Sequence, residues 1–188
     1  MFTFRRTLLA SLFVGVVACV PFVPQTTSAT SVDPEILTID GVVPKPQKLT
    51  AADLAKLPRR SVQIKAADGS VSTYEGPILA DVLALAGVVF GPELKGPALA
   101  NYVVVTGADK FRVVFALPEL DSSFTDRVIL LADKRDGKPL SAAEGPLRSI
   151  VPDEKRRSRW VNQVVSLTVL SAPAALQPSK VTGRRKHD

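Results

Sequence analysis

A dense group of cations near the end of the chain is the feature of the sequence best suited to chemistry. Residues 145–152 read GPLRSIVP, a short apolar segment closed by proline, and residues 153–161 continue as DEKRRSRWV. If neighbouring strands bury the apolar side chains, the cations are held on a rigid frame, and fixed cations at a strand end suit an anionic ligand. The competing interpretation is a structural ion pair in the first segment and a solvated charged loop in the second. The candidate anion-binding residues are Arg148, Arg159, Lys155 and Arg156.

Other catalytic chemistry has little support in the sequence. The only histidine, His187, lies in a polar C-terminal segment, so the usual base for a serine nucleophile and the commonest metal ligand are missing from the rest of the chain. The only cysteine is Cys19. Neighbouring carboxylates in predicted loops should be solvated rather than act as general acid and base; these pairs are Glu119 with Asp121 and Asp153 with Glu154. The sequence therefore favours binding over catalysis by this chain alone.

The order of motifs along the chain resembles the molybdopterin-binding domain of the sulfite-oxidase family. The resemblance extends over about residues 34 to 170 and ends in the arginine strand and basic loop described above. It implies the fold of that domain, molybdopterin as a possible cofactor, and a site in which Arg148 and Arg159 match the family's two arginines and converge on one anion. The other matching segments are LTIDG at 37–41, LAKLP at 54–58, YEGPIL at 74–79, DKF at 109–111 and DGKPL at 136–140.

Two departures from the family's pattern bear on the cofactor. The family holds molybdenum through a cysteine thiolate in a loop after an early strand, which corresponds to residues 62–65 here, and neither Lys65 nor Asp68 replaces a soft thiolate. A pterin-contacting histidine just ahead of the glycine–proline segment is replaced by Ala143 or Glu144, and a carboxylate there would repel a phosphate. The resemblance thus implies an anionic pterin or related ligand without thiolate-bound molybdenum.

The basic loop departs from the pattern as well. Arg157 stands where the family has glycine, and Asn162 where it has lysine. A large side chain would crowd the loop if the glycine's backbone conformation were required. The only tryptophan, Trp160, is expected to lie over the core rather than to stack on a pterin.

The N-terminal segment has the pattern of an export signal. Arg5 and Arg6 precede an apolar run at 8–23, and small residues at 27–29 suit signal peptidase. We therefore expect cleavage near Ala29 and a periplasmic or secreted protein. Two variants stay open: a lipid anchor at Cys19, and twin-arginine rather than general secretory export. The predicted organisation is a signal at 1–29, one domain at 30–171 and a disordered polar tail at 172–188.

Composition excludes a nucleic-acid-binding role. Two of the 24 Lys and Arg residues lie in the signal, which leaves 22 cations against 18 Asp and Glu and a net charge of +4. These cations are not interleaved with exposed aromatic residues, and no nucleic-acid-reading motif occurs. The partners implied are a small anionic ligand and, in one alternative, a redox or membrane protein.

Hydrophobic periodicity predicts an α+β domain with a mostly β core. Thr50 should cap one short helix, and a second should begin at Pro77 in its first turn and end at Gly87. Asp68–Gly69 is typical of a hairpin turn. We expect six or seven strands with two or three short helices, in the sulfite-oxidase-type fold. The predicted strands include 36–39, 61–66, 71–75, 102–106, 111–117, 128–132 and 164–170.

Three functions compete at this point. The first is an exported molybdopterin-type binding domain that keeps an anionic pterin or related ligand without thiolate-held metal or catalysis of its own. The second is a non-catalytic module on the same fold that binds another small anion or a protein. The third is an oxidoreductase subunit whose missing ligand comes from a partner.

Overall fold

Alternating apolar residues build three β-sheets in residues 33–173, the part of the chain that the computed structural model describes. The predicted signal, with Cys19 and the cleavage site at Ala29, lies outside the described residues, as does nearly all of the predicted tail. Among residues 33–173, no helix is long and apolar enough to cross a membrane.

Eleven strands and two α-helices make up the described fold, and several strands have only two or three residues. The helices are α1 (Ala51–Ala55) and α2 (Leu79–Ala84), and four short 3-10 helices span Gly91–Glu93, Gly96–Ala100, Leu117–Leu120 and Arg157–Arg159. The strands are β1 (Glu35–Gly41), β2 (Gln47–Thr50), β3 (Arg60–Lys65), β4 (Val71–Gly76), β5 (Asn101–Gly107), β6 (Arg112–Ala116), β7 (Leu130–Ala132), β8 (Lys134–Arg135), β9 (Lys138–Pro139), β10 (Arg148–Ile150) and β11 (Val164–Ser171).

The largest sheet has five strands in the order β2-β1-β11-β5-β6, and its β1 and β11 run parallel. The second sheet, β3-β4-β8-β9, is antiparallel and contains the hairpin predicted around Asp68–Gly69. Strand β10 pairs antiparallel with β7 in a third sheet of two strands. The arginine strand predicted near residue 148 is therefore fixed against a fully buried neighbour.

One contiguous apolar core lies beneath these sheets, because alternate side chains of the strands point to the same side. Helix α2 adds Leu79, Val82 and Leu83, all at most 1% exposed. The predicted α+β fold with a mostly β core and two short α-helices is confirmed. The largest fully buried side chains include Phe115, Leu37, Ile39, Leu54, Leu130, Leu131, Leu147, Ile150 and Leu167.

Local signals located both helices, but the predicted bounds of α2 were wrong, because the helix ends at Ala84 rather than at Gly87. Thr50 caps α1 as predicted: its Oγ1 accepts from the Asp53 N–H at 3.2 Å, and its own N–H donates to the Asp53 carboxylate at 3.1 Å. Pro77 was wrongly placed inside α2. It precedes the N-cap residue Ile78, and the Leu79 N–H donates to the Ile129 carbonyl of a neighbouring segment instead.

The strand predicted at 128–132 is shorter than expected. Only Leu130–Ala132 forms a strand, and Val128 is 38% exposed. The count of six or seven strands was also too low, since pairs as short as β8 with β9 leave no periodic pattern to read.

Candidate anion-binding site

A cleft of about 870 Å³ opens between the end of β3 and the basic loop, which we define as residues 153–159. Its walls come from the two regions that the family resemblance assigns to the metal-ligand loop and to the anion site. The lining residues are Gln63, Ile64, Lys65, Ala67, Pro152, Glu154, Lys155, Arg156, Arg157, Ser158 and Trp160.

Four cations line this cleft: Lys65, Lys155, Arg156 and Arg157. Among the described residues none of them forms an ion pair with a carboxylate, so their charges stay available to an anion. The fifth charged residue of the cleft, Glu154, is neutralised by Arg159. The cleft is thus electropositive and open to solvent.

Arg157 is the cation most firmly held in the cleft. Its guanidinium lies 4.9 Å from the centre of the Trp160 ring and donates to the Lys65 carbonyl at 3.3 Å. It begins a 3-10 helix and is not among the residues with positive φ. The condition for crowding, a backbone conformation that requires glycine, is therefore not met at this position.

Arg148 points into the protein rather than into the cleft. Its side chain is 15% exposed and forms an ion pair with Glu144, while Nη1 also donates to the Tyr74 hydroxyl at 3.3 Å. Its guanidinium lies 5.3 Å from the centre of the Trp160 ring. These contacts are those of a structural cation, the competing interpretation raised by the sequence. A direct contact of Arg148 with a ligand stays a prediction.

Arg159 has two carboxylate partners. Its Nε donates to Glu154 at 2.6 Å, and Nη1 donates to Glu119 at 3.3 Å and to the Val114 carbonyl at 3.1 Å. Burial alone would lower the pKa of Arg159, but the hydrogen bonds and charges of Glu154 and Glu119 raise it above its ordinary value. The structure thus does not bring Arg148 and Arg159 together on one cavity. Of the four predicted residues, Lys155 and Arg156 line the cleft and these two arginines do not.

All four carboxylates of the predicted pairs are bonded to arginine or backbone groups, and of the four only Asp153 is exposed. Arg127 bridges them, donating to Glu119 at 3.0 Å and to Asp153 at 2.8 Å. Asp121 is 2% exposed and accepts from the N–H groups of Gly91 and Ser123. The solvated state expected for Asp121 is therefore wrong, although the conclusion that these residues do not form an acid–base pair fits their structural contacts.

Ser149 anchors the basic loop, and sequence reasoning missed it. Its hydroxyl is buried on β10, donates to the Arg159 carbonyl at 3.0 Å and accepts from the Val161 N–H at 2.7 Å. Trp160 is 7% exposed, and its Nε1–H donates to the Val151 carbonyl at 3.1 Å. Trp160 therefore packs against the core as expected, with one part of its ring at the cleft. A single serine between Arg148 and Ile150 gave no sequence signal of this role.

The donor set of the cleft fits a phosphate group and does not fit a thiolate-bound metal. The end of β3 and the turn after it carry Gln63, Lys65 and Ala67 where a metal-ligand loop would be, with no sulfur or imidazole among them. Within residues 33–173, no group of three or more His, Cys, Asp and Glu side chains is placed to hold a metal ion. Ammonium and guanidinium groups are the side chains that bind phosphate most often.

Comparisons with known proteins agree with this fold. A family model described as oxidoreductase molybdopterin binding domain matches residues 26–175. The crystal structure of the sulfane dehydrogenase SoxCD from Paracoccus pantotrophus matches with a TM-score of 0.55 and 23% identity, over 71% of this chain and 37% of the SoxCD chain. The chain therefore spans well under half the length of that protein, and at this identity the likeness concerns the fold alone. A search of curated protein sequences gave no match.

Proposed function

Because the chain belongs to the oxidoreductase molybdopterin-binding domain family, we propose that it is a small exported binding domain for an anionic, phosphate-bearing pterin or a related ligand. The ligand occupies the cleft between β3 and the basic loop. The observation that carries this proposal is a group of four cations around a cavity of about 870 Å³, none of which has a carboxylate partner within residues 33–173. A drug-sized ligand typically fills a cavity of about 300 to 1,000 Å³.

The side chains proposed to contact the anion are Lys155, Arg156 and Arg157, with Lys65 opposite. Each charge-assisted hydrogen bond from these groups would contribute about 1.5 to 3 kcal/mol. Arg148 and Arg159 support the cleft indirectly in this proposal. Arg148 lies against Trp160, and Arg159 fixes Glu154 at the cleft wall. Each of these two guanidinium groups is already paired with a carboxylate, so they add little free positive charge.

The domain binds without thiolate-held molybdenum and without catalysis of its own. Support comes from the cleft residues, which offer amide, ammonium and guanidinium groups in place of a soft ligand. Purified protein should contain no stoichiometric molybdenum by elemental analysis. One molybdenum per chain retained through gel filtration would instead favour the third function, an oxidoreductase subunit that a redox or membrane partner completes.

Export is part of the proposal and rests on the sequence alone. We expect a mature chain that begins at or near Thr30, outside the cytoplasmic membrane. N-terminal sequencing of protein from the exporting host measures this directly. A mature chain that begins at a lipid-modified Cys19 would show a membrane-anchored lipoprotein instead of a free protein. An uncleaved chain would contradict both cleavage near Ala29 and lipidation at Cys19.

Ligand identity and site are tested together. Mass spectrometry of small molecules released from protein purified from its exporting host should detect a phosphate-bearing pterin, and the Arg156→Ala protein should retain at least about tenfold less of it. Lys138→Ala is the matched control, because this exposed cation lies on β9, at the opposite edge of the sheet from β3. Release of a different small anion would favour the second function, and equal retention by both variants would remove the cleft from consideration.

A further inference from the structure

Strand β3 has an open edge. It is the first strand of the sheet β3-β4-β8-β9 and pairs only with β4 among the described residues. We propose that this edge binds an extended acidic segment of a partner protein, which adds to the sheet as a further strand. This inference does not rest on the pterin ligand, because it concerns backbone groups rather than the cations alone.

The hydrogen-bond register shows which backbone groups face outward. At the hairpin, the Ala66 N–H donates to the Ser70 carbonyl at 2.7 Å, so Ala66 faces β4. In an antiparallel pair the inward and outward residues alternate. The residues of β3 that turn their N–H and C=O groups away from β4 are therefore Ser61, Gln63 and Lys65.

Contacts on both sides of the hairpin agree with this register. The carbonyls of Thr73 and Glu75, which lie opposite Gln63 and Ser61, accept from the Asp136 and Asp133 N–H groups on the far side of β4. The Lys65 carbonyl faces the cleft, where it accepts from Arg157. Three residues at every second position thus have the outward donors and acceptors that an added strand uses, of which the Lys65 carbonyl already accepts from Arg157.

A groove follows this edge along its whole length. The cleft at Lys65 continues into depressions of about 540 and 460 Å³, which share Val62 and the loop 125–128. Pro152 lines both the cleft at Lys65 and the depression of about 540 Å³. Val62, Val128 and Pro152 give the groove an apolar floor, while Ser61, Gln63 and Lys65 have exposed side chains. A peptide in extended conformation has room there to place alternate side chains on this floor.

The positive charge along the groove favours an acidic partner. Five cations along the groove form no ion pair among the described residues, against one such carboxylate, Asp126. A second copy of this chain fits poorly, because it would bring two edges with the same excess of positive charge together. The five cations are Arg60, Lys65, Lys155, Arg156 and Arg157.

The edge of the five-stranded sheet at β6 is protected by side chains. On β6, Arg159 donates to the Val114 carbonyl, and the Ala116 N–H donates weakly to Glu119 at 3.5 Å. The edge strands β2 and β9 have only four and two residues. Natural proteins usually cover or shorten such edges. The six-residue edge of β3 is longer, and among the described residues only its Lys65 carbonyl accepts a hydrogen bond from a covering side chain, that of Arg157.

The test uses a fluorescent eight-residue peptide of alternating valine and glutamate, and fluorescence anisotropy with the full-length chain. The peptide should bind, and its lysine analogue should not. Gln63→Pro removes one outward N–H without touching the β4 ladder, and should weaken binding at least tenfold. Gln63→Ala, the matched control, keeps the N–H and should change the affinity less than twofold.

A second measurement covers the case in which Gln63→Pro does not fold. In the unaltered protein, the peptide should slow amide hydrogen exchange of Ser61 and Gln63 at least tenfold, with no change at Lys138 on β9. No binding of the glutamate peptide at millimolar concentration would overturn the proposal. Equal binding by Gln63→Pro and Gln63→Ala, unchanged exchange at Ser61 and Gln63, or a dimer of the chain that Gln63→Pro dissociates would overturn it as well.

Discussion

The Glu144 carboxylate pairs with the Arg148 guanidinium, and the two side chains are only 20% and 15% exposed. Glu144 or its neighbour Ala143 occupies the position at which the family resemblance places a pterin-contacting histidine. The carboxylate neutralises Arg148, whose side chain is held in the protein interior. The cations of the basic loop that face the cleft are instead Lys155, Arg156 and Arg157.

Arg148→Ala should therefore destabilise the fold and leave the ligand in place. The change leaves the half-buried Glu144 with Arg135, at 3.7 Å, as its remaining cationic partner, and it removes one of the two cations over Trp160. We expect a loss of about 2 to 3 kcal/mol in the free energy of unfolding, measured by urea denaturation. Ligand content of the same protein, by mass spectrometry, should match that of the unaltered chain.

The double variant Arg148→Ala with Glu144→Ala is the control for this prediction. It should recover at least about 1 kcal/mol relative to the sum of the two single changes, because no unpaired charge is left behind. A stable Arg148→Ala protein that has lost its ligand would restore Arg148 to the binding site, as the sequence first suggested.

Ser149→Ala should loosen the basic loop. Two groups would lose their partner, the Arg159 carbonyl and the Val161 N–H. An unsatisfied buried polar group costs about 1 to 3 kcal/mol, so the free energy of unfolding should fall by about 2 kcal/mol or more. Ser171→Ala removes an exposed hydroxyl that bonds Asn101 and should cost under about 0.5 kcal/mol. Similar losses for both variants would show that Ser149 has no special role.

How far the sequence could predict this protein depends on the range of each interaction. The Thr50 cap and the Asp68–Gly69 hairpin are local patterns, and both were read correctly. The family was predicted from the order of the motifs and is confirmed by the match to residues 26–175. The partners of Arg159 could not be predicted, because Glu119 is distant in sequence and only the packing of β6 against the loop brings the two together.

The candidate site was half predicted for the same reason. Lys155 and Arg156 were predicted as anion-binding residues, and both line the cleft because they lie on an exposed basic loop. The sequence gave no way to know that Arg148 faces Glu144 across the glycine–proline turn, since a strand position alone does not say which carboxylate lies nearby. At Lys65 the sequence indicated only a missing thiolate. It gave no sign that the Lys65 ammonium group adds positive charge to the opposite wall of the cleft.

Stability should fall in acid between about pH 4 and pH 2. Hydrogen bonds from Lys56 and then Thr50 hold the pKa of Asp53 down to about 2. Burial would raise the pKa of Asp121, but the hydrogen bonds from Ser123 and Gly91 keep it below its ordinary value. A carboxylate with a depressed pKa in the folded state stabilises the fold above its unfolded pKa, and that contribution is lost as the pH falls through the folded value.

Urea denaturation at pH 5, 4 and 3 measures this slope. Asp53→Asn should be less stable than the unaltered chain at pH 5 and should show a shallower loss toward pH 3, because one of the titrating groups is gone. A slope that is the same in both proteins would mean that Asp53 contributes nothing to acid sensitivity.

Arg157→Ala should weaken anion binding at the cleft and change the environment of Trp160. The guanidinium both lines the cavity and lies 4.9 Å from the ring centre, so an anion that it binds should alter the fluorescence of the only tryptophan. Titration with inorganic pyrophosphate should give a saturable fluorescence change in the unaltered protein. In Arg157→Ala the apparent Kd should rise about tenfold, which corresponds to one charge-assisted hydrogen bond.

Arg112→Ala removes an exposed cation of β6 that does not line the cleft, and should leave the titration unchanged. If pyrophosphate produces no saturable change in the unaltered protein, or if both variants weaken it equally, the four cations act only as a general positive surface and the cleft is not a defined anion site.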